Sequence, residues 1–461
     1  MSANFFKNHR FLLADAEKKG IYQLYQTALE IMNEGIMAAD PKLAVKKAIK
    51  IRKDIIYFLE NLKEKVNKQT KIIVIGGGKA SAEMALAIEE ILRDKISSGY
   101  INVPDNINFN EKQAKKIILN SAGHPFVNEG SIKGAYQILN LLKKTTKNDL
   151  VICLISGGGS ALLEIPYDWI TLDDLQNTFQ TLTKAGATIH ELNVVRKHLS
   201  QIKGGKLAKI AQPAKVISLI ISDVIGDEVD TIASGPTAPD KSTWLEMKTI
   251  IEKYKLEKLP ESIYKTLNLG LKGELSDTCK SNDEFFSNVH NLIIASNKLS
   301  CEAMKNYGEK LGLNAKIITT TLTGEAKEVG ANFAQQLIEE SEENILLIAG
   351  GETTVTINGN GKGGRNQEFA LAASEIIKDK NDCLIVALGS DGIDGPTDTA
   401  GAIVDGFTSG IATKLGLIGK DFIQNNDSYH YLKRTSNLLF TGPTGTNVSD
   451  LIIGLKISKK D

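Results

Sequence analysis

Cysteine, histidine and proline are thinly spread through this sequence of 461 residues, and their scarcity narrows what the protein can be. The four cysteines, Cys153, Cys279, Cys301 and Cys383, stand far apart with no C-x-x-C pair, and the six histidines form no H-E-x-x-H pattern. Both facts count against a disulfide framework and a structural zinc site, so buried, reduced thiols are expected instead. With ten prolines, no segment is biased enough to read as disordered. No run of about 18 apolar residues occurs, and the opening MSANFFKNHRFLLADAEKKG has neither a sustained apolar core nor a small-residue cleavage site. A soluble, cytoplasmic protein without a membrane partner is expected. An excess of charge is missing too: Lys plus Arg equals Asp plus Glu at 55 each, which argues against a protein built to coat nucleic acid.

What is present is alternation. Short β-branched runs (KIIVIG, KKIILNSAG, DLVICLIS, AKVISLIIS) are followed by segments of helical period, the rhythm of a parallel sheet with crossover helices. A second series follows: HNLIIAS, AKIITTT, NILLIAGG, a strand TTVTI, and DCLIVALGS. The length and this repetition predict two Rossmann-like α/β domains with largely parallel sheets and a site in the cleft between them. The expected boundaries are 1–240 for the first, 286–461 for the second, and a charged helical connection over 241–285 that would serve as hinge.

Two glycine loops follow strands. In VIGGGKASAEMA, Gly77, Gly78 and Lys79 precede a helix, a bare backbone and a mobile charge suited to a phosphate. It lacks Walker A spacing but nearly fits G-x-G-x-x-G from Gly76, with Ser81 in the third glycine's place and Asp105 after the next strand, so a dinucleotide site stays open. In VICLISGGGSALLEI, Ser156, Gly157, Gly158, Gly159 and Ser160 would form an anion nest ahead of a helix. Tight strand-to-helix packing would explain either loop as well. Two such loops suit a nucleoside triphosphate and an anionic acceptor better than they suit hydride transfer.

Further on, TIHELNVVRKHLSQIKGG sets Ile189, Leu192, Val195, Leu199 and Ile202 at helical spacing, with His190, Asn193, Arg196, Lys197 and Lys203 as a basic polar stripe able to bind a carboxylate. Acidic residues crowd SDVIGDEVD (Asp223, Asp227, Glu228, Asp230) and GSDGIDGPTDTAG (Asp391, Asp394, Asp398), as magnesium at a phosphoryl-transfer site would require. Arg365 precedes a helix in GKGGRNQEFALAA and could clamp an anion. Gly-Pro-Thr recurs at Gly235, Gly395 and Gly442, as turns.

Taken with these residues, the blocks GGGKAS, SAGHP, SGGGSALL, ELNVVRKHLSQIKGGKLA, SDVIGDEVDTIASGPT, GGETTVT, GKGGRNQE, SDGIDGPTDTAGA and TGPTGTNVSDL resemble the glycerate 2-kinase family, whose C-terminal half is the MOFRL domain. The resemblance spans nearly the whole chain. It implies transfer of the γ-phosphoryl group of ATP to D-glycerate with Mg2+. On that resemblance Lys79 and Arg365 are catalytic, Asp223 is a base or metal ligand, and Gly77, Gly78, Ser156 to Ser160, Asn193 and Arg196 bind substrate or phosphate. Glu352, Asp391, Gly392 and Thr444 are expected at the nucleotide, and Asp391 and Asp394 near the metal. A hydroxypyruvate reductase and a non-catalytic sugar-acid binding protein are the alternatives, and a homodimer stays open.

Overall fold

The computed structural model describes residues 4–59, 61–106, 114–256 and 259–457. The chain forms two compact units, one of Pro41–Ile294 and one that joins Met1–Asp40 to Ala295–Asp461. The expected boundaries at 240 and 286 are therefore corrected at both ends.

In the Pro41–Ile294 unit the main sheet runs in the order Ile117–Ala122, Ile96–Pro104, Ile72–Gly77, Leu150–Ile155, Lys215–Ile221, Val289–Ala295. Numbered along the chain this is 3-2-1-4-5-6, the doubly wound order, and the first five strands pair in parallel. The strands Ile72–Gly77 and Leu150–Ile155 are buried throughout, as a sheet covered on both faces demands. Between them the strand order reverses, and both glycine loops leave at their carboxyl ends. A small antiparallel sheet of Ile49–Arg52, Ile55–Phe58 and Leu62–Lys65, not foreseen from the sequence, completes the unit.

The stretch 241–285 is no connection. Its helices Trp244–Lys253 and Glu261–Leu271 bury Trp244, Met247, Ile250, Ile263 and Leu267 in one cluster with Leu175, Leu182, Val195 and Leu199. Apolar faces on both helices require such a partner layer. HNLIIAS, expected to open the second domain, instead supplies the edge strand Val289–Ala295 of the first sheet.

The other unit is built on a sheet ordered Asn314–Leu322, Ile345–Gly351, Asp450–Lys456, Cys383–Gly389, Gly401–Asp405, Leu438–Leu439. Only its first pair is parallel, because the strand Asp450–Lys456 inserts antiparallel between Ile345–Gly351 and Cys383–Gly389. The expectation of largely parallel sheets thus holds for one unit and fails for the other. TTVTI forms no strand; Thr354 makes an isolated bridge to Glu325. The helix Tyr22–Ala38 packs Leu29, Met32 and Ile36 into the core formed by Met304, Leu384 and Leu451, which draws the first forty residues into this unit.

All four cysteines are buried and free. Burial pushes the Cys153, Cys301 and Cys383 thiols up to about 12. No helix among the described residues is long and apolar enough to cross a membrane.

Candidate active site

In the Pro41–Ile294 unit the two glycine loops are stitched together. The Lys79 N–H donates to the Gly157 carbonyl at 2.9 Å, and the Ala80 N–H donates to Ser156 Oγ at 3.0 Å. Several glycines serve this contact: a Cβ on Gly76 would lie 2.0 Å from the Leu154 carbonyl oxygen, and one on Gly78 would lie 2.1 Å from Ser156 Oγ. Gly77 is walled in by Leu163 and Gly159 by Ala233. Ser156, Gly77, Gly78 and Gly159 are thus interior packing, and the part of the expected nest that stays open is Gly157, Gly158 and Ser160. The helix after that nest is a single turn, Gly159–Leu162, whereas Lys79 precedes the full helix Ser81–Leu92.

Lys79 is exposed, and its side chain passes Gly158, as does the His124 ring: a Cβ on Gly158 would meet His124 Cδ2 at 2.7 Å and Lys79 Cγ at 3.2 Å. Burial, and then the Lys79 charge, hold the His124 imidazole below its usual pKa, so it is neutral at neutral pH. The Asp223 carboxylate closes on the other side of the loop, 2.0 Å from where a Gly157 Cβ would stand.

These residues open into a cavity of about 530 Å3, lined at its polar end by Gly158, Ser160, Asn193, Arg196, Asp223 and His124. The floor is a hydrogen-bonded chain: Ser160 Oγ to Ser234 Oγ at 2.8 Å, Ser234 Oγ to Asn193 Oδ1 at 3.1 Å, and Arg196 Nη1 to the same Oδ1 at 3.3 Å. Asn193 and Arg196 share one face of the helix Ile189–Leu199, which Thr188 and Glu191 start with a reciprocal capping box. The Arg196 guanidinium stacks 5.0 Å from the Phe179 ring and makes no ion pair among the described residues. Burial pulls its pKa down from the ordinary arginine value.

Of the rest of the expected basic stripe His190 is exposed, whereas the two lysines are not available to a ligand. Lys197 is buried against Asp240 at 2.8 Å, and Lys203 is buried against Glu164 and the Leu163 carbonyl. Ile189, expected in the core, is 53% exposed at the cavity rim.

The second group of expected site residues lies in the unit that contains Ala295–Asp461. Asp450, the first residue of its antiparallel strand, pairs in register with both Gly351 and Gly389, so the loops that follow those two strands meet at Asp450. Arg365 donates to Asp450 through Nε at 2.7 Å and Nη2 at 2.9 Å, and through Nη1 to Glu352 at 2.6 Å. Asp450 and its neighbours raise the Arg365 pKa further, while burial pushes the Asp450 carboxyl up to about 6.

Asp394 is buried and spends both oxygens on the helix Arg365–Ile376: Oδ1 accepts from Asn366 N and Nδ2, Oδ2 from Gln367 N and Nε2. That set of donors replaces the metal role expected for it. Asp391 is part-exposed; its Oδ1 accepts from the Ile393 N–H, and its carbonyl accepts from the Thr444 N–H, which brings Asp391 and Thr444 together. Gly392 lies against Gly442, where a Cβ would meet the Gly442 carbonyl at 2.0 Å. Among the described residues no three acidic, histidine or cysteine side chains converge as a metal cage. The three Gly-Pro-Thr turns all use a left-handed glycine, with φ of 59°, 61° and 67° at Gly235, Gly395 and Gly442.

Sequence reasoning missed His124, Phe179 and Asp450. The blocks SAGHP and TGPTGTNVSDL carried His124 and Asp450, but nothing local marks their roles, and Phe179 and Asp450 have their partners 17 and 85 residues away.

Comparison with known proteins bears on both units. The family described as a domain of unknown function, DUF4147, matches residues 27–268, and the MOFRL family matches residues 345–450. Glycerate 2-kinase from Pyrococcus horikoshii is 45% identical over 94% of this chain and 98% of its own. D-glycerate 2-kinase from Thermotoga maritima is 40% identical over 94% and 98%. The crystal structure of a glycerate kinase from Thermotoga maritima superposes with a TM-score of 0.82 at 38% identity, covering 94% of this chain and 100% of that one. Likeness of that extent, at nearly full length on both sides, makes this chain a member of the glycerate 2-kinase family.

Proposed function

We propose that this chain transfers the γ-phosphoryl group of ATP to the 2-hydroxyl of D-glycerate, giving 2-phosphoglycerate and ADP. The observation that carries the reading is Arg196, a part-buried guanidinium without an ion-pair partner among the described residues, set on the Asn193–Ser234–Ser160 floor within the cavity that Asp223 and Gly158 line, the Lys79 side chain passing beside Gly158. A carboxylate fits Arg196 because its planar fork keeps its charge in a closed site. Asn193 and Ser160 would orient the acceptor, and Asp223 would take the hydroxyl proton. Gly157, Gly158 and Lys79 would meet the transferring group, where catalysis is mostly positioning and charge stabilisation. Neutral His124 would donate or accept a hydrogen bond there without adding charge. Arg365 has two N–H groups left beyond its three bonds to Asp450 and Glu352, and with Asp391, Gly392 and Thr444 it is assigned to the nucleotide.

A magnesium ion would neutralise phosphate charge. Asp391, with one oxygen that accepts no hydrogen bond among the described residues, fits as a ligand, and Asp223 is the second candidate.

A reductase reading draws on one feature, the 3-2-1-4-5-6 order with Asp105 directly after the second strand, as in dinucleotide sites. Against it, the space beside Gly76 and Gly78, where a pyrophosphate would approach, is filled by Leu154 and Ser156.

The deciding experiment is a coupled assay run both ways, with phosphorus NMR of the product. Consumption of ATP with D-glycerate and Mg2+, and a 2-phosphate resonance, are expected. Turnover of NADH or NADPH with hydroxypyruvate, without ATP consumption, would remove the kinase reading.

A further inference from the structure

The cavity of the Pro41–Ile294 unit is larger than glycerate needs. Volumes of about 300–1,000 Å3 house ligands of drug size, and this one measures about 530 Å3. Glycerate has seven heavy atoms and no alkyl or aromatic tail. Its carboxylate and hydroxyls can occupy only the polar end, at Arg196, Asn193, Ser160 and Asp223. Beyond them a mostly apolar arm starts at Phe179, whose ring lies against Arg196, and is walled by Phe126, Val127, Leu175 and Ile189, with Gln176, Gln180, Thr183 and Lys184 of the helix Leu172–Lys184 also lining the cavity. The arm is open to entry, since Phe126 is 59% exposed and Ile189 53% exposed at its rim. Apolar walls that receive no apolar ligand atom add nothing to the binding of glycerate.

We propose that this site takes 2-hydroxy carboxylates that bear a branched or aromatic tail, with the carboxylate on Arg196 and the tail in the arm between Phe126 and Ile189. The inference rests on the assignment of the acceptor to Arg196 and Asn193. In the reaction the 2-hydroxyl oxygen of the tailed acid attacks the γ-phosphorus of ATP and forms the new P–O bond. The bond from that phosphorus to the β,γ-bridging oxygen breaks, ADP leaves with its electron pair, and the hydroxyl proton passes to the Asp223 carboxylate. The products are the tailed 2-phosphate and ADP. Each methylene seated in the arm should tighten binding about four-fold.

The test uses the full chain with D-3-phenyllactate and D-2-hydroxyisocaproate, read in two ways. Calorimetry without nucleotide measures binding of each acid, and the ATP-coupled assay measures turnover. Both acids are expected to bind at least ten-fold more tightly than D-lactate and to compete with D-glycerate. Ile189→Ala and Phe126→Ala should each remove three-fold or more of that preference, while kcat/KM for D-glycerate stays unchanged. Phosphorylated product from either acid supports the full proposal. Failure of both acids to bind or compete, with D-glycerate phosphorylated normally, would overturn it and leave the kinase reading standing. Loss of ADP affinity instead of acid affinity in the two rim variants would hand the arm to the nucleobase and likewise overturn it. If no acceptor is phosphorylated yet the tailed acids bind through Arg196, the kinase reading fails and the ligand class stands.

Discussion

Lys79 and Arg365 look alike in the sequence, each a cation between a glycine run and a helix, and the structure separates them. Lys79 is exposed and makes no ion pair among the described residues. Lys79→Ala should therefore lower kcat about 100- to 1,000-fold while the unfolding free energy changes by no more than about 0.5 kcal/mol; steady-state kinetics and urea melts check the two halves. Arg365 holds Asp450, whose side chain is 1% exposed. Arg365→Met leaves a buried carboxylate without its cation and should cost about 3–5 kcal/mol, in addition to any loss of activity. The sequence suggested no such cost, because Asp450 lies 85 residues away and local spacing cannot reveal it.

The same pair sets a pH dependence. Burial raises Asp450 to about 6, from about 3.9 in an unfolded chain. A carboxyl raised in this way stabilises the fold fully below its unfolded pKa, and that contribution is lost as pH rises through about 6. Arg365 pulls against the burial, so its removal raises Asp450 further. The Arg365→Met deficit should be largest at pH 8 and shrink toward pH 4.5, as paired thermal melts at the two pH values would show. A deficit that does not vary with pH would mean that the lost stability comes from packing instead.

At the scale of elements, periodicity located the buried parallel strands and the helix that carries Asn193 and Arg196. Those segments carry a strong pattern and a capping box within their own residues. It failed where identity depends on a neighbour far along the chain. TTVTI alternates as a strand should, yet only Thr354 finds a backbone partner. The helices of 241–285 read as a hinge because their layer is completed by residues 175–199, which periodicity alone does not bring near. Gly270 tests that packing. In an ordinary helix interior Gly→Ala gains about 1 kcal/mol, but here the new Cβ would stand 2.1 Å from the Trp244 ring. Overpacking of this kind costs about 1–3 kcal/mol. Gly270→Ala should thus lower Tm despite its better helix propensity, and a raised Tm would show that Trp244 can shift aside.

For the whole molecule, the decisive fact is that one unit is continuous in sequence and the other is not. Residues 41–294 contain their own sheets and cores, and expressed alone they should melt cooperatively by circular dichroism. Residues 295–461 alone should not. They would lack Leu24, Leu29, Ile31, Met32 and Ile36, all buried in their core. At roughly 1.5–3 kcal/mol each, such side chains supply on the order of 10 kcal/mol, comparable to the whole margin of a domain, about 5–15 kcal/mol. A peptide of residues 1–40 added in trans should restore the transition, and no recovery would mean that the covalent link is needed.

The discontinuity also has a consequence in time. The helix Tyr22–Ala38 leaves the ribosome before the sheet that covers its apolar face, which is encoded beyond Ala295, with the Asp450–Lys456 strand at its middle made after the other five. At about 5–20 residues per second, the helix waits on the order of tens of seconds while residues 41–294 are made and fold. During that interval Leu29, Met32 and Ile36 face water or a chaperone, so slower translation of the intervening gene segment should raise aggregation even though the finished protein is identical.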